Sequence, residues 1–160
     1  MTLNKITDDL IHEFAKTVEM FDLSLVEARL FTILYLNHSP MSLDEMSQTV
    51  GKSKTSVNKA IRSLSELNLA KQVWKKGTRK DFYTANEDLY QRFMQTYLEK
   101  WINHTSMQKQ ILCQIKQRAK KQSQGKLIDD KIDEMVSFHS LIEKTFVKLK
   151  TLSEKMPLQD

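Results

Sequence analysis

Chain breakers are scarce in this sequence: 160 residues hold three glycines and two prolines. So few interruptions exclude a turn-rich β architecture and predict a mostly helical chain, in which Gly51, Gly77, Gly125, Pro40 and Pro157 act as punctuation. Cysteine occurs once, as Cys113, which excludes an intrachain disulfide and makes the cytoplasm the expected compartment. No apolar run approaches the roughly 20 residues of a membrane span, and Met1 to Leu10 is mixed polar and acidic rather than a signal-like segment. No membrane partner is therefore expected. Phosphate-cradling glycine loops, Cys-x-x-Cys pairs and His-Glu-x-x-His spacing are all missing. His12, His38, His104 and His139 are scattered; only the last two could face each other, on neighbouring helices. The expectation is a protein that is not an enzyme and needs no cofactor or metal. No internal repeat is visible.

What is present is charge in one place. The net formal charge is +5, but between Lys52 and Lys80 nine basic residues stand against a single acid, Glu66. The rest of the chain is net acidic. A basic segment in an acidic background is the footprint of a polyanion partner.

Periodicity supplies the frame. Ile6, Leu10, Phe14 and Val18 recur every four residues and predict a helix from about Asn4 to Phe21. Ser24 with Glu27, and Ser42 with Glu45, have the capping-box spacing that opens a helix. The first of these helices ends near Asn37, before His38-Ser39-Pro40, and the second stops at Gly51. Ser53 caps a fourth helix running to about Leu67, whose stripe is Val57, Ile61, Leu64 and Leu67. The period then changes: Leu69 to Trp74 and Phe82 to Thr84 predict two short strands joined by a turn at Gly77. Helical period returns after Asn86 and persists to about Lys121, with Leu89, Phe93, Tyr97 and Trp101 on one face. Such a helix spans roughly 50 Å. After a polar turn over Gln122 to Gly125, a last helix carries Ile128, Ile132, Met135, His139, Ile142, Phe146 and Leu149.

The fold class that follows is mainly α: a winged helix-turn-helix with a small β-hairpin wing and long flanking dimerisation helices. Three segments are expected: an N-terminal dimerisation helix over 1–21, the DNA-binding domain over 22–86, and a C-terminal helical dimerisation region over 87–160. A small winged domain cannot cover so much helix, and a second copy of the chain is the simplest supplier of a partner surface.

The expected partner of the homodimer is a double-stranded DNA operator. The turn Gly51-Lys52-Ser53 delivers the fourth helix to the major groove by its N-terminal end. Lys52, Lys54, Lys59 and Arg62 suit phosphates or guanine edges, Ser53, Thr55 and Ser56 permit close approach, and Asn58 suits adenine. On the wing, Lys75, Lys76, Thr78, Arg79 and Lys80 surround Gly77, where a basic tip can follow a backbone or enter a minor groove. Asp81 could hold Arg79 or serve only as a turn residue. Trp74, Phe82 and Tyr83 are expected to pack the wing and core. Cys113, beside Ile111, Leu112 and Ile115, is expected to be buried and inert. The cluster Lys116, Arg118, Lys120, Lys121 and Lys126 is expected to be solvated.

The run Met41 to Met46, Gly51 to Val57 and Ile61 to Leu64, followed by Val73-Trp74-Lys75-Lys76-Gly77-Thr78-Arg79-Lys80-Asp81-Phe82-Tyr83, resembles the GbsR group of the MarR superfamily. The likeness covers about residues 5 to 90; beyond, only the helical layout matches. It implies a dimeric bacterial repressor of glycine betaine and choline uptake or synthesis genes. It also implies a small quaternary ammonium effector, such as choline, in an aromatic cage. Cage residues do not match one by one; the physical candidates are Phe31 with Tyr35, and Tyr97 with Trp101, each pair one helical turn apart. Core packing is the competing role for all four. The alternatives in function are a MarR-like sensor of another ligand or of oxidation, and a winged module serving protein assembly.

Overall fold

A computed structural model describes residues 2–88, 94–121 and 125–155, which form two compact units, Met1–Phe93 and Met94–Asp160. The first unit runs α1 (Thr2–Glu19), α2 (Leu25–Leu36), β1 (Met41–Ser42), α3 (Leu43–Val50), α4 (Lys54–Glu66), β2 (Ala70–Val73) and β3 (Phe82–Ala85). The second holds α5 (Met94–Lys121) and α6 (Lys126–Lys155). This is the winged helix-turn-helix that the periodicity predicts.

The helix starts follow from the caps. The hydroxyls of Ser24 and Ser42 accept from the amides of Glu27 and Glu45, and each glutamate accepts in return from the serine amide at 2.7 Å. Both capping boxes are therefore closed, which satisfies orphan donors at both ends of the motif. Ser53 caps α4 by accepting from Ser56 at 3.2 Å. The end of α4 is a Schellman arrangement. Leu69 donates to the Leu64 carbonyl and Asn68 to that of Ser65, with Asn68 in the left-handed region at φ 57°.

α2 is apolar nearly all round and is the hub of the first unit, with Ala28, Leu30, Phe31, Thr32, Ile33 and Leu34 buried. α4 brings Val57, Ala60, Ile61 and Leu64 to the same core, and Met46 and Val50 do so from α3. α1 packs on α2 through Ala15 and Val18, whereas Ile6 and Leu10, of the same expected stripe, are half exposed.

The sheet has three strands in the order β1-β3-β2, all antiparallel, with Val73 opposite Phe82, Ala70 opposite Ala85 and Met41 opposite Tyr83. Two strands were expected. The third, β1, is two residues long and sits beside a proline and a capping box, so it has no periodicity of its own. Its pairing ties the start of α3 to the base of the wing.

In the second unit, α5 and α6 lie antiparallel. Ion pairs Glu99–Lys150 (3.0 Å), Lys109–Glu143 (2.5 Å) and Lys116–Asp133 clip them at three levels. Trp101 packs on Phe146 with ring centroids 5.5 Å apart. The expected apolar members Leu89 and Phe93, and the turn residues 122–124, lie outside the described residues.

Candidate nucleic-acid interface

The candidate interface is built by α3, α4 and the wing. α3 ends at Gly51, whose φ of 72° lies in the left-handed region, and the turn is held by Ser47: its carbonyl accepts from Gly51 and Lys52, and its hydroxyl donates to the Lys52 carbonyl. This fixes the direction in which α4 leaves. With Val57, Ala60, Ile61 and Leu64 committed to the core, the opposite side of α4 presents Lys54, Thr55, Lys59 and Arg62 to solvent, with Asn58 half-buried beside them. A shallow depression on this helix is lined by Thr55, Asn58, Lys59, Arg62, Ser63 and Glu66. Lys52 and Ser53 are exposed at the turn, and Ser56 is half-buried.

The wing projects Lys75, Lys76, Arg79 and Lys80, all exposed, around Gly77 at φ 87°; Thr78 faces inward enough to accept from the Lys80 amide at 3.1 Å. Lys75 stands over the Phe82 ring, 4.5 Å from its centroid, a cation–π contact that uses one of the wing's charges to hold its own shape. Asp81 accepts from the Gln72 side-chain amide at 2.6 Å, so it ties the two strands of the wing. The carboxylate thus serves the hairpin rather than the Arg79 guanidinium, the other role open to it. Trp74 departs from expectation. It is 80% exposed, as Lys71, Gln72 and Lys75 around it are exposed.

Between α4 and the wing lies a cleft of about 300 Å³, lined among others by Asp44, Lys54, Asn58, Arg79, Lys80 and Asp81. Asp44, in the first turn of α3, pairs with Lys54 at 2.5 Å through one carboxylate oxygen and with Lys80 at 3.3 Å through the other. Hydrogen bonds from Lys54 and Lys80, reinforced by their charge, hold its carboxyl below the usual aspartate range. The Glu45 carboxyl is lowered as well, chiefly by the Ser42 amide. Charge counting along the chain missed Asp44, since it precedes the basic stretch. Glu27 ties α2 to α4: burial pushes its carboxyl up, but hydrogen bonds from Ser63 and Ser24 outweigh this and leave it lowered.

The four aromatic candidates fall in two clusters, one in each unit. Phe31 stacks on Tyr35 at 6.2 Å, and Tyr35 stacks on Phe14 at 6.2 Å. Tyr97 meets Trp101 at 5.8 Å. Phe31 and Tyr97 are fully buried, and Tyr35 and Trp101 are partly exposed. Among the described residues no group of histidine, cysteine or carboxylate side chains could hold a metal ion. His139 bonds the Met135 carbonyl through Nδ1 at 2.8 Å. Cys113 is exposed, contrary to expectation, and its apolar neighbours Ile111 and Ile115 are exposed as well.

Residues 18–87, which span α2 to β3, match the family described as "Sugar-specific transcriptional regulator TrmB". Three proteins of Bacillus subtilis (strain 168) are similar. The HTH-type transcriptional repressor OpcR is 33% identical over 102 residues, covering 64% of this chain and 55% of that protein. The putative HTH-type transcriptional regulator YvaV is 31% identical over 109 residues, covering 68% and 62%. The HTH-type transcriptional repressor GbsR is 26% identical over 99 residues, covering 62% and 54%. The chain thus spans between half and two thirds of the length of these relatives. A crystal structure of a transcriptional regulator, 12% identical, superposes with a TM-score of 0.69 over 94% of this chain and 99% of that one, which shows the fold. The family matched is the one described as TrmB, and GbsR stands among the relatives beside OpcR and YvaV. The matched family and the relatives named above are described as transcriptional regulators, not enzymes.

Proposed function

We propose that this chain is a sequence-specific DNA-binding transcriptional regulator, a repressor, acting as a homodimer in the cytoplasm. One observation carries the reading. The exposed side of α4 and the basic wing meet across a cleft, where Lys54, Asn58, Arg79 and Lys80 converge. α4 enters the major groove by its N-terminal turns, with Lys52 to Arg62 reading bases and phosphates, and the wing follows the adjoining backbone. The similarity to the repressors OpcR and GbsR supports the same reading.

Arg62→Ala and Arg79→Ala test it. Duplexes selected from a random library are titrated at several salt concentrations. Both variants are expected to bind more weakly with unchanged melting temperature, and each lost phosphate contact lowers the salt slope by about 0.9. Unchanged binding by both removes the reading helix and the wing together.

A second copy of the chain supports itself on α6. Leu127, Phe138, Leu141 and Leu152 are each 60% exposed or more. Their spacings of 11, 3 and 11 residues return to nearly one helical direction at about 100° per residue. An exposed apolar row of this kind suits burial against a symmetry mate.

The effector in this proposal is a small quaternary ammonium compound, choline before glycine betaine, in keeping with the GbsR resemblance. Choline has no carboxylate to satisfy, and each aromatic cluster keeps one ring partly open, Tyr35 and Trp101. A sugar is the competing ligand, in keeping with the description of the matched family. Thermal-shift measurements with choline, glycine betaine and a disaccharide separate the two, because a ligand that prefers the folded state raises the melting temperature. Calorimetry with Trp101→Ala then locates the choline site; no heat with the parent chain ends the choline proposal.

A further inference from the structure

Asp44 is misplaced for a protein that binds polyanions. It stands in the first turn of α3, at the cleft between α4 and the wing, where a carboxylate repels phosphate. Its two oxygens each take one ammonium, Lys54 from the start of α4 and Lys80 from the wing, and all three side chains are about half exposed or more. Two lysines on the two oxygens of one anion is also the arrangement that two non-bridging oxygens of a DNA phosphate would occupy.

We propose that Asp44 is an internal stand-in for a backbone phosphate, a specificity-determining residue that occupies Lys54 and Lys80 until a correctly placed duplex displaces it. The proposal rests on the DNA-binding reading above. Exposed ion pairs of this kind contribute little to stability, so the contact matters for what it withholds. A loosely docked, non-specific duplex must trade lysine–carboxylate contacts for lysine–phosphate contacts and gains little. It also brings a phosphate towards a carboxylate. A duplex whose bases fit α4 has the surplus to accept that exchange. Discrimination here comes from an unfavourable contact set against the wrong partner.

The same pairing has a mechanical consequence. Lys80 lies 36 residues from Asp44 in the chain, and their contact holds the wing towards the recognition helix. Release of Lys80 frees the wing tip while β1 and β2 still hold its base on β3.

The test needs no operator. A mixed-sequence 30-base-pair duplex is titrated with the full chain between 50 and 200 mM salt. Wild type, Asp44→Asn, Asp44→Ser and Lys54→Gln/Lys80→Gln are compared, the last with and without Asp44→Asn. Both Asp44 variants are expected to bind more tightly, with a log–log salt slope steeper by up to about 1.8, the value for two added phosphate contacts; across this salt range that is about a tenfold difference in affinity. In the Lys54→Gln/Lys80→Gln background the gain should vanish. Equal or weaker binding by both Asp44 variants overturns the proposal. So does a gain that leaves the slope unchanged or persists without the lysines. Serine is well suited to a first helical turn, so loss of folding by asparagine alone would not spoil the comparison. Wild type with no salt-dependent affinity for any duplex is a different failure: it removes the DNA-binding reading, and this proposal with it.

Discussion

Gly51 is the joint on which the reading helix turns, and Gly51→Ala measures what that joint costs. At φ 72° the backbone is left-handed, and a Cβ built there meets nothing within 4 Å. The penalty is therefore conformational rather than steric. An L-residue in this region costs roughly 1–2 kcal/mol. The reduced freedom of the unfolded chain returns about 0.4–1 kcal/mol. The net expectation is about 1 kcal/mol of lost stability, which lowers the melting temperature of a unit this size by about 4–8 °C. Gly51→Asn should cost less, since asparagine tolerates the left-handed region. Urea unfolding followed by circular dichroism reads the differences. If strain is relieved by distortion of the turn, the Ser47–Lys52 contacts that direct α4 go with it, and DNA affinity falls further than stability requires. Alanine as stable as glycine, or asparagine as damaging as alanine, would refute the backbone account.

Three further outcomes are expected. Glu45 has its carboxyl lowered by the Ser42 amide from an ordinary value of 4.5, so its contribution is complete above that value and is lost as pH falls through the lower folded value. The melting-temperature gap between wild type and Glu45→Ala should accordingly narrow below about pH 4.5, and a gap constant from pH 7 to pH 3 would contradict the charged cap. Trp74, exposed on the wing, should tolerate Trp74→Ala within about 0.5 kcal/mol, as surface substitutions do; a larger loss in urea unfolding would mean that the ring packs. Phe138→Glu with Leu141→Glu should convert a dimer to a monomer in sedimentation at micromolar concentration, and a wild type already monomeric there would defeat the proposed interface.

What was legible in the sequence was local. The Ser24–Glu27 and Ser42–Glu45 boxes, the Ser53 cap, the Gly51 turn and the α4 stripe each depend on residues within a few positions of one another. What was not legible depends on partners far along the chain. β1 exists because β3, some 40 residues later, offers it a ladder. Trp74 was expected to pack the wing or core, but it is exposed on the wing. The Cys113 expectation failed for a related reason. An apolar neighbourhood in sequence is spread around a helix, and Ile111, Cys113 and Ile115 are each exposed at different angles on α5. Of the stripe expected on α6, Ile132 is buried and His139, Ile142 and Phe146 are half-buried, whereas Ile128, Met135 and Leu149 are exposed; the outer residues Leu127, Phe138, Leu141 and Leu152 repeat too sparsely to stand out.

Charge is where the two levels diverge most usefully. Counted along the chain, Lys52 to Lys80 looks like uncompensated positive charge. Folded, two of those lysines are held by Asp44, and Lys75 is drawn over a ring of its own wing. Among the described residues, Arg62, at the middle of α4, and Arg79, at the wing tip, have no such ion pair or ring contact. Arginine is also the side chain best suited to a bidentate hold on guanine or phosphate. In the proposed complex, specific contact falls first to the two arginines, and the paired lysines add their charge only once the fit is good enough to displace an aspartate.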